Sequence, residues 1–134
     1  MWKYEQRTGR LYADFSESAG EKLTGVGYSG KGNGKNNPDS QEVHNVGPIP
    51  VGLYKIHGPV DTVTHGPYVL PLEPDGDNHM FDRSGFLIHG DSVVHPGTAS
   101  EGCIILPRAI REQIWNSRDH DLRVVSGLVP VNVT

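Results

Sequence analysis

Residues 86–106 read FLIHGDSVVHPGTASEGCIIL. Two runs in this stretch, Phe86–His89 and Gly102–Leu106, have strand length and apolar character, which fits buried strands. His89 closes the first run, and Cys103, the only cysteine of the chain, opens the second. Two adjacent strands joined by a long loop bring these side chains within reach of each other, and the rest of the chain reads as the scaffold that holds them.

Outward from this pair, short strand-like runs alternate with turns. Trp2–Gln6 and Leu11–Phe15 alternate large and charged residues about Thr8-Gly9-Arg10, which predicts two strands joined by a tight turn. Lys22–Tyr28 predicts a third strand, with Gly25 and Gly27 weakening it or admitting a close backbone approach. Gly47-Pro48-Ile49-Pro50-Val51-Gly52 is a turn that launches a strand over Leu53–His57. Tyr68–Leu72 is another strand, its Pro71 pointing to an edge or a bulge, and Glu73–Asn78 is a polar loop. Pro107–Asn116 is the one helical segment. Pro107 suits the first helical position, Ile110 and Ile114 share a face with Trp115 beside them, and Arg108, Arg111 and Glu112 read as its solvated side. Leu122–Val125 and Val129–Val133 are further runs that can close the sheet. Ser29–Asn37 (SGKGNGKNN) lacks the glycine and hydroxyl positions of a phosphate-binding loop and reads as a mobile rim loop.

The chain has 134 residues, with 17 glycines and 10 prolines among them. That length suits a single domain over 1–134, and that composition favours a turn-rich, strand-based fold over a helical bundle. The expected fold is a mainly β sandwich or barrel with one short helix. A net charge of -4 gives no basic footprint for nucleic acid. No apolar run approaches the length of a membrane span. The first residues, Met1–Gln6, lack the apolar stretch of a secretory signal, so the protein, made in the cytoplasm, is expected either to stay inside the cell that makes it or to leave by a route without a cleaved signal.

A cysteine attacks as its thiolate, which a neighbouring imidazole or backbone N–H groups aimed at the sulfur make accessible. Gly102 lets the backbone approach the sulfur closely, and the N–H groups of Gly102 and Cys103 can point at the oxygen of a tetrahedral intermediate. His89 can accept the thiol proton and later protonate a leaving amine. The carbonyl of Gly90 and the carboxylate of Asp91 are the local groups able to orient the ring. The competing reading is a lone cysteine that serves as a small buried hydrophobe.

The ordered set of features resembles the L,D-transpeptidases, and within them the type VI secretion effectors of L,D-transpeptidase type. The resemblance is carried by Gly27-Tyr28-Ser29-Gly30, Asn36-Asn37-Pro38, Gly47-Pro48-Ile49-Pro50, Arg83-Ser84-Gly85-Phe86, Ile88-His89-Gly90-Asp91-Ser92, Pro96-Gly97 and Ala99-Ser100-Glu101-Gly102-Cys103-Ile104. It implies an L,D-transpeptidase-like β fold with Cys103 as nucleophile, His89 as base and the Gly90 carbonyl as orienting group. Glu101 stands where the family usually has a second histidine, and Ile105 where Asn or Arg often follows the cysteine by two; both favour the effector branch. The implied chemistry is attack on the third residue of a peptidoglycan tetrapeptide stem with loss of the terminal D-alanine. Water, a free D-amino acid or a second stem would then resolve the thioester. The implied partners are those stems, a cognate immunity protein and a component of the secretion machine, and the implied place of action is the periplasm of a target bacterium. Thiolate, imidazole and backbone donors suffice for this, so neither metal nor organic cofactor is expected.

Other residues carry two readings each. Arg83 can meet a stem carboxylate and Asp91 an ammonium or His89; alternatively the two pair with each other or with solvent. Ser100 can fix the turn or touch substrate, and Glu101 reads as a solvated loop charge. Tyr28 and Trp2 can line the groove or join the core. His95 can substitute as the base or stand exposed in its loop. Among seven histidines none forms HExxH, and the cysteine has no CxxC partner, so no metal site is expected; His44, His57 and His120 read as surface or packing residues. A wall-binding module without catalysis predicts an inert Cys103. A papain-like peptidase is disfavoured because there the cysteine usually precedes the histidine.

Overall fold

Alternation sets the first strands. Trp2 and Tyr4 are buried while Lys3 and Glu5 are half-buried on the other face, the period-2 pattern of a strand with one face on a core. A computed structural model describes residues 1–15 and 20–128. Its strands are β1 (Trp2–Glu5), β2 (Arg10–Ala13), β3 (Lys22–Val26), β4 (Tyr28–Ser29), β5 (Gly52–Ile56), β6 (Val60–Thr62), β7 (Gly66–Pro74), β8 (Leu87–His89), β9 (Ile104–Ile105) and β10 (Asp121–Val125). One helix, α1, spans Arg108–Asn116. The fold is therefore mainly β with one short helix, as the composition implies. The Val129–Val133 run lies outside the described residues.

The strands form one mixed sheet in the order β3-β2-β1-β10-β5-β7-β8-β9-β4, with β6 paired to β7 off this path. Among the described residues only β1–β10 and β8–β9 are parallel. The run Lys22–Tyr28 is not one strand. It divides at Gly27, and its two halves stand at opposite ends of the sheet path. Because Val26 and Tyr28 are joined by that single residue, the sheet must roll until its first and last strands meet. Gly27 makes the junction possible. Its N–H donates to the carbonyl of Gly9 at 2.7 Å, and a Cβ there would lie 1.8 Å from the carbonyl oxygen of Ile105.

The rolled sheet wraps one apolar core. Tyr4, Leu11, Leu70, Ile88, Ile104 and Leu122 are fully buried in it, joined by Ile114 of α1. Burial of a side chain of this size contributes roughly 1.5–3 kcal/mol. Pro107 is the N-cap of α1 rather than its first helical residue, and its carbonyl accepts from the N–H groups of Ile110 and Arg111. Arg111 is buried, not solvated. Arg108 is exposed and Glu112 half-buried, the two paired at 3.0 Å.

Pro71 sits in an interior strand, contrary to the edge or bulge expected of it. Residues 70 and 72 direct their backbone groups to β8, where the Leu72 N–H meets the Phe86 carbonyl. Pro71 faces the other side, where β5 has ended at Ile56 and only the Pro71 carbonyl is used, by the His57 N–H at 2.8 Å. The missing donor therefore falls beyond the end of the neighbouring strand. Trp2 belongs to the core, its indole N–H near the Ser117 hydroxyl and the Asp119 carbonyl. Among the described residues no helix is long and apolar enough to cross a membrane.

Gly27→Ala is expected to destabilise the fold by about 3 kcal/mol or more, since the added methyl meets backbone that cannot yield. Chemical denaturation of wild type and variant measures this; an unchanged midpoint would contradict the junction.

Candidate active site

The strand that ends in His89 and the strand that Cys103 immediately precedes are neighbours. β8 and β9 run parallel, with Ile88 opposite Ile104 and His89 opposite Ile105. A parallel pair needs a connection of a dozen or more residues, and the loop from Gly90 to Cys103 provides it without a helix. Ile88 and Ile104 point into the core. Side chains alternate along a strand, so His89 and Cys103 share the opposite face. Both line an open cleft of about 880 Å³.

The turn before Cys103 is fixed by buried side chains. The Ser100 hydroxyl donates to the Cys103 carbonyl at 2.6 Å and accepts the N–H groups of Gly30 and Gly102. The Ser29 hydroxyl donates to the Gly102 carbonyl at 2.9 Å and accepts the Ile49 N–H. Arg83 donates to the Glu101 carbonyl, and also to those of Gln41, Gly47 and Pro48. Three consecutive carbonyls, 101 to 103, are thus held inward. Gly102 has φ +142°, and a Cβ there would stand 2.5 Å from Nη2 of Arg83; both the conformation and the space require glycine.

These contacts sort the sequence candidates. Ser100 fixes the turn. The Gly102 N–H is engaged by Ser100, so it is not free for an oxyanion. Arg83 neither pairs with Asp91 nor lines the cleft; it saturates loop carbonyls beneath the cysteine turn. Tyr28 lies beside the cleft rather than in it: its hydroxyl donates to Asp91 at 2.6 Å and accepts the Ala99 N–H, clamping both ends of the loop. Burial and the Asp91 contact push the Tyr28 phenol up to about 12. Asp91 lines the cleft and accepts from Tyr28 and from the amides of Ser92 and Gly97. Burial pushes its carboxyl up, but these bonds outweigh that and hold it below the usual range. Ser29–Asn37 is no loose rim: Gly30 and Gly34 are buried, and the Lys31 N–H is tied to the Val46 carbonyl. His95 is exposed and does not line the cleft.

His89 is 3% exposed, and its Nδ1 lies 2.8 Å from the Gly90 carbonyl. A carbonyl only accepts, so Nδ1 carries the proton and Nε2 keeps its lone pair. Burial lowers the His89 pKa, the Gly90 bond opposes this, and the charges of His65 and Arg111 lower it further. The ring is thus a neutral base at neutral pH. Cys103 is half-buried. Burial of its sulfur pushes the thiol up to about 11, with the Leu87 N–H pulling it down, Glu101 pushing it up and Arg83 pulling it down. Its thiol reaches the Gly85 carbonyl at 3.9 Å, and among the described residues no hydrogen bond joins it to His89. The resting pair is therefore thiol and imidazole, not thiolate and imidazolium.

Two neighbours of this pair escape sequence reasoning. His65, on the turn before β7, stacks obliquely on His89 with ring centroids 4.7 Å apart. Arg111 reaches the cleft from α1 beside Gly90. Neither stands in a motif with His89 or Cys103, so only the fold brings them together.

The family model described as the Tlde1 domain matches residues 24–128. No curated protein and no solved structure matches the chain.

Alkylation of Cys103 by iodoacetamide is expected to accelerate about tenfold per pH unit with a midpoint near 11. Mass spectrometry of the modified protein gives the rates. A midpoint near the ordinary thiol value of about 8.5 would contradict the buried-thiol environment.

Proposed function

Because the chain belongs to the Tlde1 domain family, the type VI secretion effectors of L,D-transpeptidase/carboxypeptidase type, we propose that it is a cysteine enzyme acting on the tetrapeptide stems of peptidoglycan. The observation that carries this reading is the shared cleft face of His89 and Cys103, with the lone pair of His89 on Nε2. In this reading Cys103 is the nucleophile, His89 the general acid–base and the Gly90 carbonyl the group that fixes the tautomer.

The thiol proton passes to Nε2 as the sulfur bonds to the carbonyl carbon of the third stem residue. With the Gly102 amide committed to Ser100, the Cys103 N–H is the donor assigned to the oxyanion. Collapse breaks the C–N bond, and His89 returns the proton to the departing amine of D-alanine. Water, the amine of a D-amino acid or that of a second stem then attacks the thioester. Each gives a proton to His89, which returns it to the sulfur. The products are a tripeptide stem, an exchanged stem or a cross-link. A thiol held near pKa 11 makes transfer to His89 part of the attack itself rather than a prior equilibrium. Family membership further supports delivery into the periplasm of a target bacterium, where such stems lie, and an immunity protein in the producer that covers the cleft.

Incubation with purified tetrapeptide muropeptides is expected to release one D-alanine per stem, exchange it or form dimers, read by mass spectrometry. Cys103→Ala is expected to abolish the change, and His89→Ala to slow it by about 10²-fold or more. An unchanged wild-type spectrum would leave a wall-binding module instead. The acid limb of kcat/KM is expected below the ordinary histidine value of about 6.5, because neutral His89 is the active form and its pKa is lowered. A limb above that value would contradict the assignment. Expression with a periplasmic signal is expected to arrest growth where cytoplasmic expression does not; equal harmlessness in both would count against the toxin role.

A further inference from the structure

Arg111 is 5% exposed, yet among the described residues no carboxylate pairs with it. Glu112, its neighbour in the chain, is held by Arg108. Three of its donors are spent on backbone carbonyls: Nε on Leu106 at 3.0 Å, and Nη1 on Pro67 and Tyr68 at 2.9 and 2.7 Å. These bonds fix the plane of the guanidinium. Nη2 has no acceptor among the described residues. It lies over Gly90, where a Cβ would stand 2.8 Å from it, so the absence of a side chain at that position keeps Nη2 open beside the cleft.

Arg83 is the internal control. It is equally buried, but its two Nη atoms are engaged by four carbonyls, and it does not line the cleft. The other cleft-lining cation, Lys31, is exposed at the rim with Glu101 3.4 Å away. A desolvated, immobilised guanidinium with an open Nη2 and, among the described residues, no counter-ion is built for an anion, and a carboxylate oxygen can accept a charge-assisted bond from Nη2.

We propose that Arg111 binds the free C-terminal α-carboxylate of the amino acid that leaves, or enters, at the thioester step. The inference rests on the cysteine-enzyme reading, and position supplies the identity of the anion. His89 delivers its proton to the amine of the leaving residue. In an α-amino acid the carboxylate oxygens lie about 3 Å from that amine by bond geometry. Gly90 follows His89 directly, and the open Nη2 lies over Gly90. The residue beyond the scissile bond must then be the last of its chain, so removal or exchange of a single terminal residue is favoured over cleavage within a longer stem. The same anchor receives an incoming D-amino acid in the reverse sense.

The test compares two tetrapeptide stems identical except for the terminus, one ending in D-alanine and the other in D-alaninamide. The wild-type protein is expected to cleave the acid at least about tenfold faster in kcat/KM than the amide. Arg111→Gln, with its folding checked by thermal unfolding, is expected to bring that ratio close to one. If the variant does not fold, the wild-type ratio decides alone. Equal cleavage of both stems by wild type overturns the role of Arg111 while leaving the enzyme intact. A folded variant that keeps the wild-type ratio also overturns it. Cleavage of neither stem overturns the cysteine-enzyme reading, and this inference with it.

Discussion

Three consecutive carbonyls have to be satisfied before Cys103 can face a cleft. Those of Glu101, Gly102 and Cys103 turn inward to Arg83, Ser29 and Ser100 respectively. A buried carbonyl left without a donor costs about 1–3 kcal/mol, so losing any one of these side chains would favour a different turn. The donors come from distant parts of the chain. Ser29 lies in β4, which reaches this place only because the sheet rolls at Gly27; Arg83 lies in the loop before β8. The placement of one sulfur atom therefore depends on the closure of the whole sheet.

Two buried arginines divide the labour around that turn. Arg83 behaves as a neutral cross-link would, spreading its hydrogen bonds over carbonyls of the Gln41–Pro48 segment and the cysteine turn. Pro48 and Pro50 lack N–H groups, so this segment cannot organise itself through its own ladder and takes donors from side chains. Arg111 begins the same way, but its Nη2 has no acceptor among the described residues. The difference between a structural and an electrostatic role here is a single unoccupied edge of a guanidinium, set by a glycine.

Much of the site is legible in sequence because its parts are contiguous. Ser100, Gly102 and Cys103 form one turn, and His89 ends the apolar run that must lie in the core beside it. Glycine and proline content and the short alternating runs suffice for a mainly β fold with one helix. What escapes is long-range. Arg111 reads as the solvated side of an amphipathic helix because periodicity reports which face is apolar, not which carbonyls lie above the other face. His65 reaches His89 only through the pairing of β7 with β8. Pro71 misleads because a proline is harmless in an interior strand once the neighbouring strand has ended. Tyr28 and Arg83 read as cleft residues because their neighbours in sequence are, yet both hold the loops that frame the cleft instead of lining it.

The high thiol pKa has a consequence apart from catalysis. At neutral pH a thiol with pKa near 11 is ionised to roughly one part in ten thousand. Oxidation to sulfenic acid and thiol–disulfide exchange both proceed through the thiolate, so this sulfur is chemically quiet until something takes its proton. The burial that raises the thiol pKa thus sets both this quietness and the sulfur's need for a nearby base.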